Sequence, residues 1–479
     1  MMIMLKSYGH NVFGKSLKEY SSNSAVVADS GESVTYGELE RFVDELFAKI
    51  QHRCLVFCLC ENSIGSLIGY VSFLKNNIVP LLIDKDLDEG LLRELLDSYE
   101  PEYLYLPDAM AVRFMDCETV GTGHGYTLVK TNYSKKYPLS DELALLLTTS
   151  GSTGSPKLVR QSHRNIEANA KAIVQYLGID QNERPITTLP MNYTYGLSII
   201  NSHLLMGATI LLTAKSFMEK GFWQFFKEQQ ATSFGGVPYT YEMLKKLRLF
   251  SMKLPSLKTM TQAGGKLTPE LTREFAEFAQ GKRIRFFVMY GQTEATARMS
   301  YLPPEYALSK CGSMGIAIPG GEFSLIDDKG KVIDEAEVVG ELVYRGPNVT
   351  MGYAECGDDL TKGDEWGGVL VTGDMARRDA DGYYYITGRK KRFIKMFGSR
   401  VNLDETERLL KAIVPDCACV GEDDHMEIYI TRQGMEKEVQ SFIASKTGIN
   451  PVAFKVIQVD RIPKNEAGKT MYTALRSPG

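Results

Sequence analysis

Leu145-Leu146-Leu147-Thr148-Thr149-Ser150-Gly151-Ser152-Thr153-Gly154-Ser155-Pro156-Lys157 decides how the chain is read. Leucines of strand character run into eight residues, Thr149–Pro156, rich in Ser, Thr and Gly, and Lys157 closes the stretch. Small residues let backbone N–H groups approach a phosphate, hydroxyls add donors, and the lysine adds charge. The Walker A loop, G-x-x-x-x-G-K-[ST], is the obvious comparison and fails: five residues after Gly151 stands Pro156, and Leu158 follows Lys157. Two readings remain, a phosphate loop of another kind or a flexible Gly/Ser linker.

The rest of the chain decides between them. Its 479 residues allow more than one domain. Hydrophobic residues at 44% and charged residues at 24% are ordinary for a soluble globular protein. The net charge of −4 argues against non-specific nucleic-acid binding, which needs a basic face. No apolar run approaches the roughly 20 residues of a membrane span, and Met1-Met2-Ile3-Met4-Leu5-Lys6 is too short for a signal peptide. None of the eight cysteines forms a CxxC pair, and no histidine pair has zinc-ligand spacing. Reduced cysteines and a cytoplasmic location are expected.

Apolar strands alternate with helical patterns from the start. Val34–Leu39 leads into an amphipathic helix through about residue 50. Leu55–Cys60, Ile78–Asp84 and Tyr103–Leu106 read as strands, with a helix at 87–100. Beyond Lys157 a helix runs to about 177. Strands are then expected at 186–189, 208–213, 233–237, 257–262 and 284–290, with helices between them. Such alternation means parallel sheets. Residues 312–386 hold short strands and turns, a small barrel or meander. From Gly388-Arg389-Lys390-Lys391 the composition turns basic, and the remainder, with helices at 404–413 and 436–446, suffices for a small α+β lobe.

Three further stretches carry chemistry. Tyr290-Gly291-Gln292-Thr293-Glu294 ends a strand, where open α/β sheets bind ligands. Thr372-Gly373-Asp374 offers a turn-held carboxylate suited to a ribose diol. Pro463-Lys464-Asn465-Glu466-Ala467-Gly468-Lys469 sets a lysine on a glycine turn. Singly, each is an ordinary turn or a solvated lysine.

Together and in this order they resemble the adenylate-forming superfamily: acyl-CoA and aryl-CoA synthetases, adenylation domains of non-ribosomal peptide synthetases, and luciferases. The resemblance runs from Thr35-Tyr36-Gly37-Glu38-Leu39 to Lys469. It takes in the loop Thr148–Lys157, Tyr290–Glu294, the barrel segment Gly340–Tyr353, Thr372–Asp374, the hinge at Gly388–Lys391 with Ile394–Arg400 after it, and Pro463–Lys469. It implies an α/β fold: a large N-terminal AMP-binding domain, 1–390, of two βα-repeat sheets plus a small β-barrel, and a small mobile α+β lid, 391–479.

The activity so implied joins a carboxylic acid to ATP, giving an acyl-adenylate and pyrophosphate, after which a thiol, coenzyme A or a phosphopantetheine arm, displaces AMP. Thr149, Ser150, Gly151, Ser152, Thr153, Gly154 and Lys157 would wrap the β- and γ-phosphates, Thr149 and Lys157 acting in catalysis. Glu294 matches the family's Mg²⁺ ligand. Tyr290 would stack on adenine, with Gly291, Gln292 and Thr293 following it and Gly264-Gly265-Lys266 lining the other side. Asp374 would hold the ribose hydroxyls, with Arg389 reaching the ribose from the hinge side. Lys469 would contact the carboxylate and α-phosphate during adenylation. Lys391 occupies the hinge position, about which the lobe rotates between half-reactions.

Pro190-Met191-Asn192-Tyr193-Thr194-Tyr195-Gly196 matches the family's substrate motif. Tyr193 stands where many acyl-CoA synthetases have His. Thr194 stands where α-amino-acid adenylation domains have Asp, and a hydroxyl cannot pair an ammonium. An α-amino acid is therefore disfavoured. The pocket floor, Phe234, Gly235, Val237 and Gly264, is neutral and mostly apolar. It suits an aliphatic or aromatic acid better than a dicarboxylate, and Gly235-Gly236 offers depth. Coenzyme A is the leading acceptor. Rivals are an acyl carrier protein, whose attachment segment is not found in the ten residues after Lys469, an amino-acid adenylating enzyme, and a nucleotide-binding sensor without catalysis. Luciferase-type oxidation has no signal in the sequence.

Overall fold

The computed structural model describes residues 12–148, 157–396, 399–422, 425–447, 450–464 and 470–475. Two large sheets organise the longer part of the chain. The first runs in the order Tyr353–Ala354, Leu158–Ser162, Leu143–Thr148, Val79–Asp84, Leu55–Cys60, Tyr103–Pro107, Tyr126–Lys130, Glu118–Gly123. Its centre, from Leu143–Thr148 to Tyr103–Pro107, is parallel. Leu55–Cys60 is buried at every position, which is why it reads as a continuous apolar run.

The second sheet is parallel from Arg285–Tyr290 through Thr259–Gln262, Ser233–Gly236, Pro185–Ile186 and Ile210–Leu212 to Ser24–Ala28. Antiparallel strands finish it: Ser300–Leu302 and Ile316–Ala317 at one edge, Ser33–Thr35 at the other. Between the sheets lie helices Ile64–Lys75 and Thr194–Leu205. The first is buried from Ile64 to Leu74 and the second from Tyr195 to Leu204, so neither shows an amphipathic stripe. Tyr70 OH donates to Asn201 Oδ1 at 2.8 Å and ties them together.

The expected alternation of strands and helices is present, with boundaries moved by local chemistry. The first amphipathic helix is Tyr36–Phe47, started by a capping box in which Thr35 and Glu38 satisfy each other's backbone N–H. It ends short of residue 50, and Gln51 turns the chain at φ +60°. The 186–189 strand shortens to Pro185–Ile186, and Leu189 O accepts instead from Asn62 Nδ2. Leu158–Ser162 is a strand that periodicity did not show, because Arg160 and Gln161 in its middle are buried polar groups.

The expected barrel segment takes the form of an antiparallel meander, Glu322–Ile326, Gly340–Arg345, Val369–Arg378, Tyr384–Arg389. The C-terminal α+β lobe pairs Phe393–Met396 with Ser399–Asn402. It packs helices Leu403–Leu410 and Glu436–Thr447 with the sheet Cys417–Glu422, His425–Ile430, Phe454–Gln458 around its own core of Ile394, Leu410, Ile428 and Val439. All eight cysteines are free. No helix among the described residues is long and apolar enough to cross a membrane.

Candidate active site

Leu143–Thr148 runs antiparallel to Leu158–Ser162, with Thr148 opposite Leu158. The candidate phosphate loop therefore joins neighbouring strands of one ladder, and Lys157 stands at the foot of a strand. In the Walker A arrangement the lysine opens a helix. Thr149, Ser150, Gly151, Ser152, Thr153 and Gly154 lie outside the described residues, as does Lys469.

Lys157 is exposed, with Nζ 2.9 Å from Glu355 Oε1 and 5.1 Å from the centroid of the Tyr353 ring. The Tyr353 hydroxyl donates to Glu294 Oε1 at 2.7 Å. Burial and the Glu294 carboxylate both hold that phenol above its ordinary pKa, so it stays a donor. One tyrosine thus joins the loop lysine to the candidate metal carboxylate. Tyr353 is placed by Arg160, whose guanidinium is fully buried. Nε donates to Tyr353 O at 3.0 Å, Nη1 to Lys362 O and Gly363 O, and Nη2 to Met351 O and Glu365 Oε2. All five N–H groups are used.

Glu294 lies in the turn Thr293–Ala295, just beyond strand Arg285–Tyr290. Thr350 donates to its carbonyl from both N and Oγ1, each at 3.0 Å. The chain then folds back so closely that a Cβ on Gly291 would stand 1.8 Å from Ala297 O, so only glycine fits there. Thr296 sits at φ +66°, ψ −55°, a strained conformation for a β-branched residue, costing about 1–3 kcal/mol. It is over-determined: its hydroxyl donates to Asn348 O at 2.7 Å, and its carbonyl accepts from Thr194 Oγ1. Thr194 is thus committed to the backbone beside Glu294.

A second cluster surrounds Asp374, which is 6% exposed. Tyr290 OH donates to its Oδ2 at 2.6 Å and Gln292 Nε2 at 2.8 Å, while Arg389 Nε is 3.5 Å from Oδ1. Burial raises the Asp374 carboxyl above its usual range, against the pull of Tyr290, Arg389 and Gln292. Burial and Asp374 likewise hold the Tyr290 phenol well up. Lys266 Nζ donates to Ile386 O at 2.9 Å, fastening the 264–266 turn to strand Tyr384–Arg389. Tyr290 and Gln292 at the end of strand Arg285–Tyr290, Asp374 within strand Val369–Arg378 and Arg389 at the end of strand Tyr384–Arg389 therefore meet in one place.

Tyr193 packs with Val237 and Ala263, and burial raises its phenol pKa. One expectation about the pocket is corrected. Gly235 and Gly236 leave no depth: a Cβ on Gly235 would meet Tyr195 OH at 2.9 Å, and one on Gly236 would meet Thr240 Cγ2 at 2.8 Å. Period-2 alternation puts Phe234 on the face opposite Gly235, where it packs on Phe226 and Tyr241. Arg298, 2% exposed, joins Thr261 and Gly235 around a cavity of about 20 Å³.

At the expected hinge, neighbours of Lys391 are anchored on opposite sides. Lys390 Nζ is 2.6 Å from Glu341 Oε2 in the meander. Arg392 pairs with Asp404 at 2.8 Å and donates to Cys419 O at 2.6 Å, both in the C-terminal lobe. Lys391 lies in the turn Lys390–Arg392 between them. Sequence reasoning missed Tyr353, Glu355, Arg160 and Arg298. Tyr353 left a signal as the end of the segment Gly340–Tyr353, and Arg298 as a lone charge in the run Ala295-Thr296-Ala297-Arg298-Met299.

Residues 13–354 match the AMP-binding enzyme family, and the chain belongs to it. It is 30% identical to the oxalate–CoA ligase of Arabidopsis thaliana over 69% of this chain and 66% of that one. It is 24% identical to the 2-succinylbenzoate–CoA ligase of Listeria monocytogenes over 95% and 97% of the two chains. The match to a further Arabidopsis thaliana relative, 4-coumarate–CoA ligase-like 2, spans 64% of that protein, so the first curated relatives are covered over just under two thirds of their length. The fold is that of o-succinylbenzoate coenzyme A synthetase of Bacillus subtilis in complex with AMP, with a TM-score of 0.79, 21% identity and 98% of both chains covered. ATP-bound MatB of Rhodopseudomonas palustris has the same fold, with a TM-score of 0.77, 22% identity and 98% coverage of both chains. The family match and these likenesses place the protein in the adenylate-forming, acyl-CoA synthetase-like superfamily.

Proposed function

We propose that the protein is an AMP-forming acid–thiol ligase acting on ATP, a carboxylic acid and coenzyme A. The observation that carries this reading is the convergence, at the carboxyl end of strand Arg285–Tyr290, of the Lys157–Tyr353–Glu294 contacts with the Tyr290–Asp374–Arg389 cluster. In the first half-reaction a carboxylate oxygen attacks the α-phosphorus of ATP, the α–β bond breaks, and pyrophosphate leaves. In the second a thiol sulfur attacks the acyl carbonyl, and AMP leaves.

An anionic nucleophile must approach an anionic triphosphate, so the site has to place positive charge and donors in advance. The 149–157 loop with Lys157 takes the β- and γ-phosphates. Asp374, held by Tyr290 and Gln292, takes the ribose, with Arg389 beside it, and the 264–266 turn faces the base. Glu294 fits a magnesium ligand: the ion binds through one or two carboxylates plus substrate phosphates, and Tyr353 occupies Oε1 while no partner is recorded for Oε2 among the described residues. Mg²⁺ would neutralise phosphate charge there. Lys469 supplies the cation at the reacting carboxylate. The domains divide at 390/391, a division supported by the opposed anchors of Lys390 and Arg392.

The relatives' names cover oxalate, 4-coumarate and 2-succinylbenzoate, so kinship leaves the acid open. ATP–pyrophosphate exchange across aliphatic, aromatic and amino acids tests the reading. Exchange that depends on an acid other than an α-amino acid is expected, with AMP released when coenzyme A is added. No exchange with any acid would overturn it.

Tyr353→Phe keeps the ring under Lys157 and removes the hydroxyl on Glu294. A hydrogen bond to a charged group contributes about 1.5–3 kcal/mol, so exchange should fall by about tenfold or more while the melting temperature stays close to wild type. Unchanged exchange would remove Tyr353 from the site.

A further inference from the structure

At the amino ends of the first sheet's parallel strands, three side chains of different ligand chemistry come together. The nitrogen, sulfur and oxygen ligand atoms of His52, Cys54 and Glu102 all lie within 4.8 Å of one another. Cys54 precedes strand Leu55–Cys60 and Glu102 precedes strand Tyr103–Pro107. The two strands are parallel, with Val56 opposite Tyr103, so their starts are neighbours. Arg53, between His52 and Cys54, fixes the backbone that carries both: it donates to Asn77 O at 2.7 Å, Ser140 O at 2.6 Å and Leu143 O at 2.7 Å. The candidate phosphate loop leaves the carboxyl ends of these parallel strands, so the length of a strand, about 20 Å, separates it from this cluster.

The orientation of His52 carries the argument. Its Nδ1 stands 2.7 Å from Ile50 O, a carbonyl that only accepts, so Nδ1 holds the ring proton. Nε2 then turns a lone pair toward Glu102 Oε2 at 3.1 Å. Two acceptors this close repel unless a cation or a second ring proton lies between them. Cys54 is buried beside them, and its Sγ makes no hydrogen bond among the described residues. Lys136 Nζ stands 3.4 Å from Glu102 Oε1, which leaves Oε2 to face the histidine. A tetrahedral ion with bonds of about 2.0–2.1 Å holds its nitrogen and oxygen ligands about 3.3 Å apart, and a sulfur at about 2.3 Å lies about 3.6 Å from each. The His52–Glu102 separation is already close to the first figure.

We propose that His52 Nε2, Cys54 Sγ and Glu102 Oε2 bind a divalent ion of the zinc class, with water from the solvent side as the fourth ligand. One nitrogen, one sulfur and one oxygen suit a borderline-soft ion that accepts tetrahedral geometry. The Nδ1–H bond to Ile50 O is the outer contact that orients a metal-bound imidazole, and Lys136 does the same for the carboxylate. The Cys54 thiol gives its proton to solvent as the sulfur–metal bond forms. Thiolate and carboxylate together then balance the two charges of the ion. The His52 side chain, 43% exposed, leaves a path for ion and water. The bound ion clamps the starts of two neighbouring strands. The site is separate from the candidate magnesium ligand Glu294 and does not depend on the activity proposed above.

The test titrates Co²⁺, the visible stand-in for spectroscopically silent Zn²⁺, and then Zn²⁺ into the chelator-stripped full-length protein and its Cys54→Ser, His52→Gln and Glu102→Gln variants. The wild type should take up Co²⁺ with a thiolate-to-cobalt charge-transfer band and the intense d–d absorption of a four-coordinate ion. Zn²⁺ should bleach both bands by displacement and raise the melting temperature. Cys54→Ser should lose the charge-transfer band. Each variant should bind Zn²⁺ about 100-fold or more weakly, beyond the 10- to 100-fold typical of losing an outer-shell partner. Circular dichroism establishes that each variant folds. Should Cys54→Ser fail to fold, His52→Gln decides, because it changes a side chain that is partly in solvent. A wild type without the thiolate band would overturn the proposal and leave a proton, in a His52–Glu102 ion pair, as the occupant. A folded His52→Gln protein that binds Zn²⁺ as tightly as the wild type would overturn it equally.

Discussion

Lys469→Ala is expected to slow acid-dependent pyrophosphate release by on the order of 100- to 1000-fold, the effect of removing one preorganised electrostatic donor. Transfer from a supplied acyl-adenylate to coenzyme A should continue at close to the wild-type rate. The asymmetry follows from charge. When the carboxylate meets the α-phosphate, negative charge gathers on both, and a cation held against them is worth most in that transition state. In the second half-reaction AMP departs from a neutral carbonyl, and the same lysine has no comparable task. An interaction made in only one transition state is lost from that step alone. Single-turnover measurements of pyrophosphate and of thioester, each from its own starting point, separate the steps. Equal loss in both would show that Lys469 serves the fold or general nucleotide affinity.

Arg160→Met is expected to cost the protein about 3–5 kcal/mol, because it strands several carbonyls at about 1–3 kcal/mol for each buried group left without its partner. The substitution keeps a similar volume while leaving the carbonyls of Met351, Tyr353, Lys362 and Gly363 and the carboxylate of Glu365 without their donor. A protein of several units does not unfold as a single step, so the quantity to follow is the midpoint of the first transition in urea. Arg160→Lys should be intermediate, since an ammonium keeps the charge and loses the planar fork. The loss should extend to activity, because the segment that Arg160 secures carries Tyr353 and Glu355. A cost below about 1 kcal/mol would mean that water satisfies these groups as well as the arginine does.

The parallel strands and their helices were legible in the sequence because burial on both faces writes itself as unbroken apolar runs, as at Leu55–Cys60. The nucleotide-site candidates were named because their short motifs occur in a fixed order along the chain. What could not be read depends on contacts far apart in the chain. Leu158–Ser162 looked unlike a buried strand because the partners that make Arg160 tolerable come from 351–365. Gly235-Gly236 suggested open space, and only the approach of Tyr195 and Thr240 shows that space to be taken. Arg298 was overlooked because its partners Ser198 and Tyr176 lie 100 and 122 residues away in the chain.

The antiparallel pairing of Leu143–Thr148 with Leu158–Ser162 has a consequence for how the enzyme can evolve. The two strands that flank residues 149–156 are neighbours in one ladder, so the stem is set by Leu143–Thr148 and Leu158–Ser162. Under the proposed function, the composition of residues 149–156 can drift to tune the grip on pyrophosphate while Arg160, three residues past Lys157, keeps the stem fixed. Turnover and foldedness are thereby written on separate residues of one short segment. A library randomised over 149–156 should yield many stable proteins of widely differing rate, whereas one randomised at Arg160 should yield few stable proteins of any rate.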